Sequence, residues 1–294
     1  MSPWPTIAQQ ISDTTGCAFV IEHRRQVGGG CINLAYIVEG GARAFFVKLN
    51  SASLVEMFAA EAAGLEEIRR SKTLRTPTPI AYGTTAGSAY LVLEFLALTS
   101  RHLDHALLGE QLAQMHLCTQ PHYGWWRDNT IGSTPQQNHP HHATWVSFWR
   151  DCRLKKQLDL AARNGYSEGL QARGEQLLTA VAAFFAHYTP PASLLHGDLW
   201  SGNVSALESG LPVVFDPATY YGDRESDIAM TELFGGFHPR FYAAYQATYP
   251  LDPGYTSRKR LYNLYHVLNH LNLFGGGYLA QAEGMIDQLL SELM

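Results

Sequence analysis

The chain has 294 residues, of which 46% are hydrophobic, 12% aromatic and 16% charged, and its formal net charge is −5. This length allows two packed lobes or one large domain, and the aromatic content leaves material for a ligand cleft as well as a core. The chain has neither a basic run nor an apolar stretch of membrane-spanning length, which argues against a nucleic-acid partner and against a membrane.

The first hundred residues predict a small lobe that is rich in strands. Strand-like patterns cover residues 17–27, 34–38, 43–49 and 88–96. Residues 56–70 place apolar side chains at helical spacing, which predicts one helix with an apolar face. Pro77 and Pro79 end this segment. Strands combined with a single helix make an α+β lobe.

From Asp104 onward the pattern is mainly helical. Apolar stripes begin at Leu107, Trp145 and Leu177, and further helices are predicted at 239–249, 256–274 and 278–292. The segment 119–143 shows no regular pattern, and irregular segments of that length are often functional. We therefore predict an N-terminal nucleotide-binding lobe over residues 1–96 and a larger, mainly helical lobe over residues 97–294.

The most informative stretch of the sequence is His196-Gly197-Asp198-Leu199-Trp200-Ser201-Gly202-Asn203, which Phe215-Asp216-Pro217 follows. Asp198 and Asn203 have the five-residue spacing of a kinase catalytic loop, where the aspartate accepts the proton of the substrate hydroxyl and the asparagine holds a metal ion. The alternative is a buried strand that ends in turn residues, with both side chains capping local backbone.

Residues 204–215 predict a hairpin that turns at Glu208-Ser209-Gly210. Because a hairpin brings its two ends together, we expect Asn203 and Asp216 to lie side by side. Two hard oxygen ligands in that arrangement suit a Mg²⁺ ion that bridges nucleotide phosphates. The sequence therefore predicts phosphoryl transfer.

Two features further upstream suit the same chemistry. Gly28-Gly29-Gly30 lies between two strands, which excludes dinucleotide and Walker motifs but suits a glycine-rich loop over phosphates. Lys48 lies within an apolar strand and needs a partner, for which Glu61 is the natural candidate. Such a pair would hold the lysine ammonium on the α- and β-phosphates. The alternative is an edge-strand lysine that faces solvent.

Two other segments are candidates for ligand contacts. Glu94-Phe95-Leu96 follows the last predicted strand of the small lobe, where backbone groups of a linker could contact adenine. The 123–138 loop combines rings and amides, which suit the C–H faces and hydroxyls of a polyhydroxylated ligand. These side chains are Trp125, Trp126, Asn129, Thr130, Gln136 and Asn138. The alternative is an ordinary surface loop with aromatic anchors.

Other polar groups are expected to be structural. Asp223, Arg224, Glu225 and Asp227 predict a charge network behind the catalytic loop, with Arg224 paired to a carboxylate. The histidines at 139, 141 and 142 lack the spacing of a metal site and are expected to be solvated. The four cysteines form no C-x-x-C pair, which favours reduced thiols in a cytoplasmic protein. Cys31 is either an oxidisable thiol or a buried, inert one.

The order of glycine-rich hairpin, Lys48, Glu61, His-Gly-Asp, Asn203 and Asp216 resembles the aminoglycoside phosphotransferase and protein-kinase-like superfamily. More narrowly, the chain resembles the fructosamine/ketosamine-3-kinase family. The resemblance covers nearly the whole chain and lies in residues 28–33, 58–62, 128–136, 196–203 and 221–227. The segments Asn-Thr-Ile-Gly and Trp-Ser-Gly-Asn are far more restrictive than His-Gly-Asp, which occurs throughout the superfamily.

This resemblance implies a bilobal, protein-kinase-like fold and ATP-dependent phosphorylation of the 3-hydroxyl of a sugar attached to an amine. Asp198 would be the catalytic proton acceptor, and Asn203 and Asp216 would hold Mg²⁺. The implied nucleotide contacts are Gly28, Gly29, Gly30, Cys31, Lys48, Glu61, Glu94, Phe95 and Leu96. The implied substrate contacts are Trp125, Asn129, Thr130, Gln136, Asn138 and Trp200. The 3-phosphate is unstable and frees the amine, which would be deglycation repair.

Two other functions stay open. One is a kinase of another hydroxyl compound, such as an aminoglycoside, choline or homoserine. Aminoglycosides call for an acidic cleft, whereas the 123–138 loop has only Asp128. The other is a non-catalytic nucleotide binder with a kinase fold, which the complete set of phosphate- and metal-handling residues disfavours. The sequence does not specify the preferred sugar, whether its amine is free or part of a protein, or the oligomeric state.

Overall fold

The computed structural model describes residues 2–28, 32–85, 87–166 and 168–293. In chain order the helices are α1 (Trp4–Thr15), α2 (Val55–Arg70), α3 (His105–His116), α4 (Trp145–Trp149), α5 (Lys155–Arg163), α6 (Glu168–Ala180), α7 (Glu225–Leu233), α8 (Pro239–Thr248), α9 (Tyr255–Phe274) and α10 (Leu279–Ser291). The strands are β1 (His23–Val27), β2 (Leu34–Gly40), β3 (Arg43–Ser51), β4 (Pro79–Thr84), β5 (Ser88–Glu94), β6 (Thr119–Gln120), β7 (Asn129–Ile131), β8 (Thr134–Gln136), β9 (Ala192–Leu195), β10 (Val204–Ala206), β11 (Pro212–Val214) and β12 (Tyr220–Gly222).

The chain divides into two compact units. The first comprises Met1–Asp104 and Val204–Pro217, and the second comprises His105–Asn203 and Ala218–Met294. The predicted division into residues 1–96 and 97–294 stays a prediction.

The first unit is built on an antiparallel sheet of five strands in the order β1-β2-β3-β5-β4. Because successive side chains of a strand point to opposite faces, Val47 and Lys48 of β3 face opposite sides of the sheet. The Val47 side packs against Ile7 and Ile11 of α1. The other side packs against Phe58 and its neighbours on α2. Lys48 is thereby placed between the sheet and α2.

The structure adds α1 and β4 to the predicted elements of this unit. Helix α1 buries only Ile7 and Ile11, which is too few apolar positions for a clear helical stripe. Strand β4 begins at Pro79, and an edge strand tolerates proline because its outer side needs no backbone donor. The first predicted strand is shorter than expected, since pairing with β2 begins only at His23. The predicted 88–96 strand ends at Glu94.

Strands β10 and β11 form the predicted antiparallel hairpin and belong to the first unit. Thr99 holds β10, because it exchanges two backbone hydrogen bonds with Ala206, of 2.8 and 3.1 Å. The N–H of Val214 on β11 donates to the carbonyl of Arg75 at 2.9 Å. These contacts tie Asp216, two residues beyond β11, to the same unit as the sheet.

The second unit is mainly helical, with a short β12-β9-β6 sheet and a β7–β8 hairpin. The predicted irregular segment 119–143 therefore contains strands, but they are too short to show a period in sequence. Helices α5 and α7 were not predicted. In α7 the residues from Glu225 to Thr231 are all buried, including two acids, so the helix has no polar face to reveal its period. No helix in the described part of the chain has the length and apolarity needed to cross a membrane.

Candidate active site

Lys48 lies on the central strand of the sheet and is only 5% exposed. Its ammonium donates to Oε1 of Glu61 at 2.6 Å and also to Oδ1 of Asp216. Burial would lower the pKa of Lys48, but the carboxylates of Asp216 and Glu61 outweigh burial and hold the pKa above its usual value. The predicted lysine–glutamate pair is present, and the solvent-facing alternative is wrong.

Glu61 and Asp216 share this one ammonium. Burial raises the pKa of Glu61; the charge of Lys48 opposes this rise, and the nearby charge of Asp216 adds to it. Two carboxylates around one cation leave an excess of negative charge, and the carboxylate of Asp216, whose side chain is 47% exposed, is open to a further cation. This charge balance fits a group that also receives a metal ion.

Asp216 is held in an unusual backbone conformation. Its φ is 56°, in the left-handed region, and Pro217 follows it. Aspartate tolerates this region better than most residues, but a following proline favours extended backbone, so the conformation is strained. Strain of this kind costs about 1–3 kcal/mol and is concentrated at functional sites. The bond to Lys48 uses Oδ1, so Oδ2 is the atom left for a metal ion.

The side chain of Glu94 is occupied within the first unit. Oε1 accepts from Arg75 at 2.5 Å, and Oε2 accepts from the N–H of Thr78 at 3.0 Å. Burial would raise the pKa of Glu94, but these two hydrogen bonds lower it below its usual value. The N–H of Glu94 also donates to the carbonyl of Thr78. Phe95 and Leu96 follow as half-buried irregular backbone, and their contact with adenine stays a prediction.

Asp198 and Asn203 are in direct contact in the second unit. The amide nitrogen of Asn203 donates to the carbonyl of Asp198 at 2.8 Å and to Oδ2 of Asp198 at 3.2 Å. Asn203 thus caps local backbone, as the structural alternative expected, and also orients the half-buried carboxylate of Asp198. Because both bonds use the nitrogen, the amide oxygen is the atom left to coordinate a metal ion.

A buried chain of hydrogen bonds holds the backbone of the 196–203 loop. Oδ2 of Asp227 accepts from the N–H of His196 at 2.7 Å, and Oδ1 accepts from the N–H of Gly197 at 2.8 Å. Nε2 of His116 donates to the same carboxylate at 3.2 Å. The hydroxyl of Tyr245 is 2.8 Å from Nδ1 of His116. The loop that carries Asp198 is therefore fixed through its main chain.

The electrostatics of this chain are consistent with its hydrogen bonds. Burial would raise the pKa of Asp227, but His116, His196 and the N–H of Gly197 together outweigh burial and lower it. Burial lowers the pKa of His116, and Asp227 opposes this only partly. The neutral imidazole then donates to Asp227 and accepts from Tyr245. Gly197, with φ 82°, is required here because a Cβ would lie 2.1 Å from the carbonyl oxygen of Ala218.

The predicted pairing of Arg224 with a carboxylate is wrong. In the described part of the chain, Arg224 donates to the carbonyls of Tyr249 and Pro250, at 2.8 and 2.5 Å, and stacks on the ring of Tyr249. It donates hydrogen bonds to carbonyl groups just past the end of α8, which lack partners within the helix. The ion pair forms instead between Arg258 and Glu225, at 2.7 and 3.0 Å.

Three amides of the 123–138 loop make internal hydrogen bonds. Asn129 donates to the carbonyl of Thr219 at 2.8 Å, and Gln136 donates to Asn129 and to the carbonyl of Ala218, at 2.8 and 3.1 Å. Asn138 donates to Oδ1 of Asn129 at 2.9 Å. All three side chains are buried. In the structure they hold the loop to residues 218–219, and their direct contact with substrate stays a prediction.

Arg153 belongs to the same network and was missed in the sequence. It is fully buried in a π-helical segment, Arg150–Leu154, and donates to Oδ1 of Asn138 at 2.6 Å. Its guanidinium lies 4.0 Å from the ring centroid of Tyr220. An arginine in a run with several charged neighbours looks solvent-exposed in sequence. Its position directly after Cys152, in an apolar stripe, is the available signal.

The predicted aromatic and hydroxyl contacts differ in accessibility. Trp125 is 1% exposed and packs in the core, whereas its neighbour Trp126 is 58% exposed. Thr130 is half-buried on β7. Trp200 is 38% exposed, and its ring lies against Gly202, where a Cβ would come within 2.3 Å of the indole. Trp200 therefore presents aromatic surface two residues after Asp198.

Gly29, Gly30 and Cys31 lie outside the described residues, so their contacts with ATP stay predictions. Gly28 is exposed just after β1, and a Cβ there would meet no atom within 4 Å. Over residues 2–28, 32–85, 87–166 and 168–293, no group of three or more His, Cys, Asp or Glu side chains could hold a metal ion.

Comparison with known proteins identifies the family. The fructosamine kinase family model matches residues 3–292. A Synechocystis protein named probable ketoamine kinase is 49% identical, over 98% of this chain and 97% of its own length. An Arabidopsis thaliana protein named protein-ribulosamine 3-kinase, chloroplastic, is 41% identical, over 95% of this chain and 86% of its own.

Solved structures agree with this comparison. A Haemophilus somnus crystal structure, assigned as a fructosamine-3-kinase, matches with a TM-score of 0.90 and 29% identity, over 98% of this chain and 97% of its own. The aminoglycoside phosphotransferase APH(4)-Ia matches with a TM-score of 0.63 at 15% identity, over 98% of both chains, which shows a shared fold. The predicted α+β, protein-kinase-like fold class and the family resemblance are confirmed. The chain belongs to the fructosamine kinase family.

Proposed function

We propose that this chain is an ATP-dependent phosphotransferase that phosphorylates the 3-hydroxyl of ketosamines, which are fructosamine, ribulosamine or erythrulosamine adducts of amines. The observation that carries the proposal is the Lys48 ammonium hydrogen-bonded to both Glu61 and Asp216. A buried cation beside an exposed, strained aspartate suits nucleotide phosphates and their metal ion. The names of the Synechocystis and Arabidopsis relatives support the substrate class.

Two sets of residues bind the nucleotide in this proposal. Lys48, held by Glu61, contacts the phosphates of ATP, and Glu94, Phe95 and Leu96 contact the adenine. Oδ2 of Asp216 and the amide oxygen of Asn203 are the proposed ligands of Mg²⁺, which prefers hard oxygen donors and normally keeps phosphate oxygens and waters as its remaining ligands. Bound Mg²⁺ supplies charge neutralisation of the transferred phosphoryl group. Gly28, Gly29, Gly30 and Cys31 cover the phosphates in this proposal.

Asp198 accepts the proton of the substrate hydroxyl. The 3-hydroxyl oxygen forms the new bond to the γ-phosphorus, the bond to the leaving ADP oxygen breaks, and the hydroxyl proton goes to the carboxylate of Asp198. Such a reaction depends mainly on positioning and charge stabilisation. The bonds from Asn203 to Asp198, and from the loop backbone to Asp227, provide that positioning.

Substrate contacts are proposed at Trp125, Asn129, Thr130, Gln136, Asn138 and Trp200. The product is a ketosamine 3-phosphate, whose instability frees the amine and so completes deglycation. The ketosamine is either a small molecule or attached to a protein. We also infer a cytoplasmic location, which is supported by Cys17, Cys118 and Cys152 being outside any disulfide.

The test is ADP release from Mg·ATP with ribulosyl-lysine, fructosyl-lysine or kanamycin as acceptor. We expect turnover with a ketosamine, and a loss of at least about 100-fold in kcat for Asp198→Asn with unchanged thermal unfolding. Asp159→Asn, at an acid that is 41% exposed and pairs with Lys155 at 2.8 Å, serves as the control and keeps full turnover. Turnover with kanamycin alone would reject the substrate class, and near-normal turnover of Asp198→Asn would remove Asp198 from the mechanism.

A further inference from the structure

A continuous series of aromatic rings in the second unit begins at Trp200, two residues after Asp198 in the chain. Trp200 lies 6.3 Å from Phe234, and Phe234 lies 4.8 Å from His270, between ring centroids. His270 in turn lies 5.4 Å from Phe274 and 5.3 Å from Tyr278. These five residues are called the aromatic strip below. They come from the 196–203 loop, the end of α7, the end of α9 and the segment before α10.

The strip is accessible to solvent. Phe274 is 56% exposed and Trp200 is 38% exposed, while Phe234, His270 and Tyr278 are half-buried. Single exposed apolar side chains are common on protein surfaces, but linked aromatic rings that reach from a candidate catalytic group to solvent indicate a binding surface. Edge-on and tilted ring contacts, with interplanar angles of 74°, 48°, 54° and 56°, hold the rings against one another.

Among the described residues, the outer end of the strip at Phe274 is open to solvent. Gly276 and Gly277 are exposed, lie between Phe274 and Tyr278, and would place a Cβ more than 4 Å from any other atom. Neither has a left-handed φ. Packing and backbone conformation therefore do not require glycine at these two positions. The space next to Gly276 and Gly277 is open.

His270 adds one polar group to the strip. Its Nδ1 is 2.8 Å from the carbonyl oxygen of His266, which can only accept, so Nδ1 carries the hydrogen. Burial lowers the pKa of His270, which keeps the imidazole neutral. Its Nε2 is then a hydrogen-bond acceptor within an aromatic surface. Aromatic faces with one acceptor suit a protonated amine and the aliphatic chain attached to it.

We propose that the aromatic strip binds the amine-borne part of the ketosamine, in particular the lysyl side chain and peptide of a glycated protein segment. This inference rests on the proposed function. In a ketosamine the amine is on C1 and the reacting hydroxyl is on C3, so the amine nitrogen lies four covalent bonds from the oxygen presented to Asp198. In this proposal the group on that amine passes Trp200, which is 38% exposed and lies two residues after Asp198 in the chain. The aliphatic chain then packs along Phe234 and Phe274.

The test compares two substrates in one variant. Phe274→Ala removes the exposed end of the strip, and the acceptors are the ribulose adducts of methylamine and of the Nε atom of an Nα-acetyl-lysine peptide. We expect KM for the peptide adduct to rise about 5- to 10-fold, because apolar burial at Phe274 is lost. We expect kcat for both adducts, and KM for the methylamine adduct, to stay within about twofold of wild type, since the small adduct does not reach Phe274.

Tyr82→Ala is the matched control, because Tyr82 is an aromatic residue of similar exposure, 49%, on β4 of the first unit. It should change neither KM. Equal effects of Phe274→Ala on both adducts, or no effect on either, would overturn the proposal. Thermal unfolding of each variant identifies any loss of folding.

Binding measured by calorimetry with Mg·ADP separates this inference from the proposed function. If wild type turns over neither adduct but binds the peptide adduct more tightly than the methylamine adduct, and Phe274→Ala removes that difference, the kinase proposal fails and the strip stands. If wild type binds both adducts equally, the proposed role of the aromatic strip is refuted, whatever the turnover.

Discussion

Replacement of Asp227 by asparagine should damage both stability and turnover, although the residue touches no proposed substrate. Its carboxylate is 1% exposed and accepts from the N–H groups of His196 and Gly197, at 2.7 and 2.8 Å, and from His116. Asparagine keeps the shape of the side chain but replaces one oxygen by an NH₂ group. One backbone N–H of the loop then faces a donor in place of an acceptor.

The cost follows from these contacts. Loss of one hydrogen bond to a charged acceptor costs about 1.5–3 kcal/mol, and the buried N–H left unsatisfied adds about 1–3 kcal/mol. We therefore expect the free energy of unfolding to fall by roughly 3–5 kcal/mol, a large part of a typical total of about 5–15 kcal/mol. At about 2 °C or more for each kcal/mol in a chain of this size, Tm should fall by at least ~6 °C.

Turnover should fall as well, because the displaced backbone carries Asp198. A shift of about 1 Å in a positioned group can reduce the rate about 100-fold. The measurements are thermal unfolding by circular dichroism and steady-state kcat at a temperature where the variant is folded. Asp159→Asn is the control, since a surface pair is worth at most about 1 kcal/mol. A Tm and a kcat of Asp227→Asn indistinguishable from the control would refute the assigned role.

Two further predictions concern buried ionisable groups. Glu61→Gln should raise KM for ATP about tenfold, because Lys48 is then drawn only to Asp216; unchanged KM in a nucleotide titration would contradict the positioning role. The second concerns pH: burial lowers the pKa of His266 to about 3, and burial also lowers the pKa of His116. A histidine with a depressed pKa stabilises the folded state fully above the ordinary pKa of about 6.5, and this stability is lost as the pH falls. At pH 5, His266 alone should therefore lower the free energy of unfolding by ~2 kcal/mol. Between pH 7 and pH 5, the free energy of unfolding measured with denaturant should fall less for His266→Leu than for wild type. An equal fall in the two proteins would disprove the prediction.

The parts of the site that could be predicted from sequence are those where a residue violates its local pattern. Lys48 is a charge within an apolar strand, and the structure gives it the expected partner, Glu61. Asp198 and Asn203 have a spacing that a loop alone does not require, and they are in contact. The chemistry of these residues is local or requires only one partner, so sequence reasoning was sufficient.

The parts that could not be predicted depend on tertiary contacts. The hydrogen bonds that Asn129, Gln136 and Asn138 make within the second unit are not visible in the sequence, and the contact of these amides with substrate stays a prediction. Arg153 looks like a surface residue and is fully buried. Residue type shows that a polar group needs partners, but only the fold determines whether the chain or a ligand supplies them.

Helix α7 shows why one missed element matters for function. Asp227 in its first turn holds the backbone of His196 and Gly197, and Phe234, directly after its last residue, packs against Trp200. The seven residue steps from position 227 to position 234 correspond to about 10 Å along a helix. The loop segment that carries Asp198 is thereby contacted from both ends of a single rigid element. Displacement of α7 should therefore alter turnover and recognition of the amine-borne group together, whereas truncation of Phe274 should alter recognition alone.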